Sequence, residues 1–267
     1  MLLGIVMLLG AAGVAKADDK ETVSAAAAKV AELASYTFKG ETKVDLPFNP
    51  GGGQQIPSME GRFQKDVGLI ITLGERGEFF RKGDKNFVKT GQGGWTELEK
   101  AQLGGPGGGG QNRQRGGLMG RMMIKNLKAP HEEVKDLARG FKDLKKEEKT
   151  EKVGEKDCSV YGGDLSEEGV KASALGKMIG TFGALGGGGQ NAEMSGKGRV
   201  WIDPDGALVK YELNTKVSVE FQGNSIEFSM GRSTEFSAAG KTRVEVPEAV
   251  QKLLEKPSEK SEDKKEN

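Results

Sequence analysis

Chemistry has few places to start in this chain. Its 267 residues hold one histidine, His131, and one cysteine, Cys158. His131 stands in "APHEEVKDL" with no second histidine anywhere, so a multi-histidine metal site is excluded and a surface position at a helix start is expected. Cys158, in "EKDCSVYGGDL", cannot make an internal disulfide. It falls on an expected strand beside Val160 and Tyr161, where a buried structural thiol is the reading. Asp203 and Asp205 in "DPDG" resemble the opening of a calcium loop, but the later oxygen ligands and the closing glutamate are missing, which leaves a tight turn. No Gly-x-Ser-x-Gly elbow occurs. These residues supply no catalytic constellation, no metal site and no cofactor site, and the chain is expected not to be an enzyme.

Glycine is the other candidate for chemistry. "GGGGQN" occurs twice, at Gly107–Asn112 and Gly186–Asn191, and "NPGGGQQIP" starts at Asn49. None of these tracts ends in the Lys-Ser/Thr pair of a phosphate-binding Walker loop. Nor does any sit between a strand and a helix of a parallel unit, as a dinucleotide fingerprint must. Runs of glycine cost ordering entropy, so the stretches 49–57, 104–117 and 183–198 are expected to be slack loops. Met119, Met122, Met123, Met178 and Met194 flank the two longer tracts. Their pliable side chains suit either core filling or a surface that accepts variable apolar shapes.

The ends carry their own signals. Leu2–Ala15 is an apolar run, and Ala15-Lys16-Ala17 fits the small-x-small pattern of a signal-peptidase site. Residues 1–17 are expected to be a signal peptide cleaved after Ala17, which places the mature chain in the periplasm or outside the cell. The run is short for a transmembrane helix. Cleavage removes Lys16 from 40 basic residues and leaves 39, against 39 acidic ones. That balance argues against a nucleic-acid partner. The charged stretch 255–267 has no large apolar residue and is expected to be a disordered tail.

Between the ends, 18–254 reads as one domain. Ala207, Val209, Tyr211 and Leu213 alternate with Leu208, Lys210 and Glu212, and Val217, Val219 and Phe221, then Ile226, Phe228 and Met230, alternate with Ser and Glu. A period of two marks strands with one dry face. Turns at "DPDG" and "QGNS", with "GRVWI" before and "TRVEV" after, give an antiparallel meander of about five strands. The first half repeats the theme in "SYTFKGETKV", with Tyr36, Phe38 and Val44 on one face, and in the short strands up to "NFVKTG". Helices are expected over Glu21–Ala34, "TELEKAQL", "GLMGRMMIKNL", "APHEEVKDLARG", the long stretch from Ser166 to Leu185, and "PEAVQKLL". The fold class is therefore α+β: a curved antiparallel sheet, an unclosed half-barrel, covered on its apolar face by helices.

The order of these elements, with "SYTFKGETKV", "MEGRFQKDVGLIITLGERGEFFRKGDKNFVKT", "GWTELE", "GKGRVWIDPDGALVKYELNTKVSV" and "VEVPEAVQKLL", resembles the LolA/LolB and LppX/LprG-like superfamily of bacterial envelope proteins. The resemblance covers most of Glu21–Leu254. It implies a half-barrel with a helical lid over an apolar cavity that carries lipid or the acyl chain of a lipoprotein. Dry-face residues Phe38, Phe63, Tyr211, Val219 and Phe228 would line that cavity under Met178 and Phe182, and a transient contact with the envelope surface would go with it. Two other readings stay open. One is a structural or protein-interaction module whose core is filled by its own side chains. The other is an enzyme built on scattered carboxylates, which a cluster of close, buried Asp and Glu would revive.

Overall fold

A computed structural model of the chain describes residues 18–45, 54–74, 77–90, 93–101, 124–125, 127–177, 180, 192–221 and 224–255. After helix α1 (Asp19–Glu32) come strands β1 (Ser35–Asp45), β2 (Gln54–Gln64), β3 (Gly68–Thr72), β4 (Gly77–Lys82), β5 (Lys85–Thr90) and β6 (Trp95–Glu97). Helix α2 (Pro130–Gly140) leads into β7 (Phe141–Lys146), β8 (Glu151–Val153) and β9 (Lys156–Leu165). Helix α3 (Glu167–Ala172) precedes β10 (Glu193–Ile202), β11 (Leu208–Phe221) and β12 (Asn224–Ser237), and α4 (Glu248–Glu255) follows.

All twelve strands join one antiparallel sheet in the order β6-β5-β4-β3-β2-β1-β12-β11-β10-β9-β7, with β8 paired to β9 beside this path. The outermost strands, β6 and β7, stand at opposite ends of the order, so the sheet stays open. Its apolar face packs against α1, α2 and α3 in one large cluster. Helix α1 buries Val23, Ala26, Ala27 and Val30, a stripe at i, i+3, i+4 and i+7. Helix α2 starts with Pro130 in its first turn, and the Glu132 carboxylate accepts from the Ala129 N–H at 2.8 Å.

Glycines let these layers approach. Gly196 and Gly198, expected within a slack loop, are part of β10. A Cβ at Gly198 would meet the Phe141 ring at 2.8 Å and Leu137 at 2.9 Å, so the strand is bare where α2 and its exit rest on it. The slack tract at 49–57 likewise ends as strand, since Gln54–Pro57 open β2. The stretch 104–117 lies outside the described residues, as do 1–17 and 256–267. Glu255, expected as the first residue of the tail, is the last residue of α4.

Four further expectations are corrected. "TELEKAQL" is not a helix: Trp95–Glu97 forms β6, and the Leu98 N–H donates to the Asn86 carbonyl at 2.9 Å. Trp95 packs beside Phe80 and Phe87, and that burial outweighs the helical propensity of the segment. The long helix from Ser166 breaks at Ser173, which takes an extended conformation. Its hydroxyl donates to the Val170 carbonyl at 2.6 Å and accepts from the Gly176 N–H at 3.1 Å, ending one helical turn and capping the stretch 174–177. "TRVEV" is not a strand, because its amides are taken by side chains. The Thr242 N–H donates to Ser35 Oγ at 3.1 Å and the Val244 N–H to Gln64 Oε1 at 2.8 Å. Val209, finally, leaves the dry face. Trp201 pairs with Lys210 but Ile202 with Leu208, a bulge that turns Val209 outward to Cys158, Val160 and Trp201.

The opposite face of β3–β5 is also dry. Ile70, Phe80 and Phe87 are covered there by Val244, Val246 and the Val250, Leu253 and Leu254 side chains of α4. Neighbouring Phe79 and Phe80 are consequently both fully buried, on opposite faces.

Phe38 and Gly61 are cross-strand partners, and the far end of the Phe38 ring lies over the glycine. A Cβ at Gly61 would stand 2.1 Å from that ring. Gly61→Ala is expected to lower stability by about 1–3 kcal/mol through overpacking. Urea denaturation should show this, with a Phe38→Leu/Gly61→Ala double variant losing less than the sum of the two single losses.

Candidate functional site

The helical face of the sheet holds one charged pair in its middle. Arg232 lies on β12 in the run Met230, Arg232, Thr234, Phe236, whose alternation puts it on the dry side. Its partner Glu133 stands on the buried stripe of α2 beside Val134 and Leu137. Arg232 Nη1 donates to Glu133 Oε1 at 3.1 Å, and the Tyr211 hydroxyl of β11 donates to Glu133 Oε2. Burial, followed by the Glu133 charge, holds the Tyr211 phenol neutral far above its usual range. Burial disfavours the Arg232 cation, but the Glu133 carboxylate outweighs it and raises the pKa. Arg232 Nε and Nη2 are buried with no partner among the described residues.

An aromatic cluster lies beside this unit. The Tyr36 ring of β1 packs with its centroid 5.1 Å from that of Phe63 and, edge-on, 5.4 Å from that of Phe236, and the His131 ring centroid sits 4.6 Å from that of Phe63. The expected surface position of His131 is corrected: the ring is half-buried, with Nδ1 2.6 Å from the Tyr36 hydroxyl. The same phenol oxygen accepts from the His131 backbone N–H at 3.4 Å, so the arrangement is complete when the phenol donates to the neutral ring. Burial first, opposed by Glu132 and aided by Arg81 and Lys135, lowers the histidine pKa from 6.5.

The residues expected around a cavity divide into groups. Phe38 and Tyr211 are fully buried, one over Gly61 and the other bonded to Glu133. Phe63 is half-buried in the aromatic cluster. Val219 and Phe228 belong to an apolar end of the face near the β11–β12 turn. Register there aligns Met194, Val217 and Phe228 in one row and Val219 with Ile226 in the next. Val217 is fully buried, while Met194, Ile226 and Phe228 are only partly covered. Met178 and Phe182 lie outside the described residues.

The remaining chemical candidates are structural. Cys158 is buried, and burial pushes its thiol up, away from the reactive thiolate. Asp203 Oδ1 accepts from the N–H groups of Asp205 (3.1 Å) and Ala207 (2.8 Å), and Oδ2 accepts from Lys156, so its oxygens make a turn rather than a cation site. Among the described residues, no three or more His, Cys, Asp or Glu side chains come close enough to hold a metal, and no helix is long and apolar enough to cross a membrane. Glu133 and Arg232 were missed in sequence, although an arginine among Met230, Thr234 and Phe236 was a readable signal.

No protein-family model and no curated protein matches the chain. Among solved structures, the chain is similar to the lipoprotein LppX of Mycobacterium tuberculosis, with 15% identity and a TM-score of 0.46 over 86% of this chain and 98% of that one. It is also similar to LprF from Mycobacterium bovis, with 10% identity and a TM-score of 0.44 over 86% and 96%. A LolA superfamily protein from Nitrosomonas europaea aligns at 9% identity and a TM-score of 0.29 over 90% and 99%. Likenesses this distant carry no argument about what the chain binds.

Two outcomes test the central unit. Glu133→Ala leaves a buried guanidinium unpaired and is expected to cost about 3–5 kcal/mol in urea denaturation, part of which Arg232→Met should restore in the double variant. His131 has a folded pKa below its unfolded value, so its contribution is complete above 6.5 and is lost as pH falls through 6.5 toward the folded pKa. Stability of the wild-type protein should therefore drop between about pH 7 and pH 5 more steeply than that of His131→Gln.

Proposed function

We propose that the chain is a non-catalytic binding protein for an apolar ligand, a lipid or the acyl chain of a lipoprotein. One observation carries this reading. The apolar face does not stop at the locked Glu133 unit but runs on to the half-covered rim of Met194, Ile226 and Phe228. Phe38 and Tyr211 form a fixed floor in this arrangement. Val219 and Phe228 line the ligand end, and Phe63 borders the opposite rim. Methionines Met59, Met194 and Met230 on the same face suit an occupant of variable shape. The chemistry of the site favours holding over reacting: both Glu133 oxygens are engaged, and the phenol beside them is held neutral.

Export with cleavage after Ala17, and a transient contact with the envelope surface during transfer, belong to the same proposal. A second reading is supported by Phe38 filling the space over Gly61: a structural or protein-interaction module of the envelope with a self-filled core.

Uptake of a fluorescent fatty acid, and native mass spectrometry of protein isolated gently from its own envelope, distinguish the two. The carrier reading expects about one lipid per chain and at least about tenfold weaker uptake by Phe228→Asp or Ile226→Asp, from the apolar contact each removes. A lipid-free mass together with no uptake would leave the interaction module.

A further inference from the structure

The outward side of α2 faces away from the apolar interior and borders a groove of about 670 Å³. Six cationic side chains line it: Arg81, Lys125, Lys128, Lys135, Arg139 and Lys177. Only two carboxylates, Glu132 and Asp136, stand among them. That excess is local, because the whole chain carries a net charge of only +1. Lys128, Glu132, Lys135, Asp136 and Arg139 follow at helical spacing, and β4 and the stretch 174–177 bring Arg81 and Lys177 to the same place.

Both carboxylates are already committed. Glu132 pairs with Arg81 at 2.7 Å, and Arg81 also donates to the Leu127 carbonyl at 3.1 Å, which fixes the guanidinium at the groove. Asp136 pairs with Lys128. Lys125, Lys135 and Arg139 make no ion pair among the described residues. Lys128 and Lys177 stand side by side: burial first, and then the neighbouring Lys128 ammonium, lowers the Lys177 pKa.

We propose that this groove binds a phosphate-class oxyanion, either a free phosphate or the phosphodiester of a lipid headgroup. Arg81, held by Glu132 and the Leu127 carbonyl, fixes one positive charge at the groove, and the lysines and Arg139 add charge around it. The site stands whether or not the sheet face holds an acyl chain, because none of the residues that line it is among those proposed to hold the chain.

Titration with inorganic phosphate and pyrophosphate by calorimetry, and flotation with phosphatidylglycerol or phosphatidylcholine vesicles, test it. The comparison protein is Lys135→Glu/Arg139→Glu, whose exposed positions are expected to leave the fold intact, as circular dichroism would check. The wild-type chain is expected to bind one of the anionic probes, to ignore phosphatidylcholine, and to weaken as salt rises. The double variant should bind about tenfold less tightly or worse. Binding of phosphate without flotation assigns the free anion, whereas flotation on phosphatidylglycerol competed by pyrophosphate assigns the headgroup. Absence of binding to every anionic probe, or binding equal in the double variant, would overturn the site. Fatty-acid uptake unchanged in the double variant would separate its failure from failure of the apolar site.

Discussion

A carboxylate and a guanidinium buried in an apolar face constrain everything around them. Removing two charges from water costs several kcal/mol each, and only close pairing with further hydrogen bonds offsets that cost. Glu133 meets the requirement with Arg232 on one oxygen and Tyr211 on the other. Because the three residues come from α2, β12 and β11, the pairing admits one placement of the helix over the sheet. Sliding α2 by one turn would strand Arg232 without its partner. The position of His131 against Tyr36 and Phe63 and the outward basic face of the same helix both follow from that placement.

Glycine serves this placement in a second way. Gly140 and Gly169 meet backbone to backbone, with a Cβ on the first only 2.7 Å from the second's Cα, so α3 can start directly against the end of α2. Gly198 clears β10 beneath Phe141 and Leu137. A chain rich in glycine thus uses some of it for contact rather than for slack.

The two sides of α2 then divide the chemistry. Inward, the helix clamps the middle of the sheet through Glu133 and leaves the β11–β12 end less tightly covered. Outward, it presents cations whose nearby carboxylates are already paired.

Local periodicity determined much of the molecule in advance. Alternation at Tyr36–Val44 and at Val217–Met230 marked strands with one dry face, Pro130 marked the start of α2, "DPDG" marked a turn, and Cys158 read as a buried thiol beside Val160. Such signals are legible because they depend on neighbours one to four positions apart. The bulge that turns Val209 outward, the recruitment of Trp95–Glu97 as an edge strand and the burial of His131 depend on partners far along the chain. Glu133 and Arg232 are 99 residues apart, and α2's basic face meets Arg81 across another 50 or so. Those pairings form only when the sheet brings its strands together, so tertiary structure alone decided which charges were buried as partners and which were gathered at the surface.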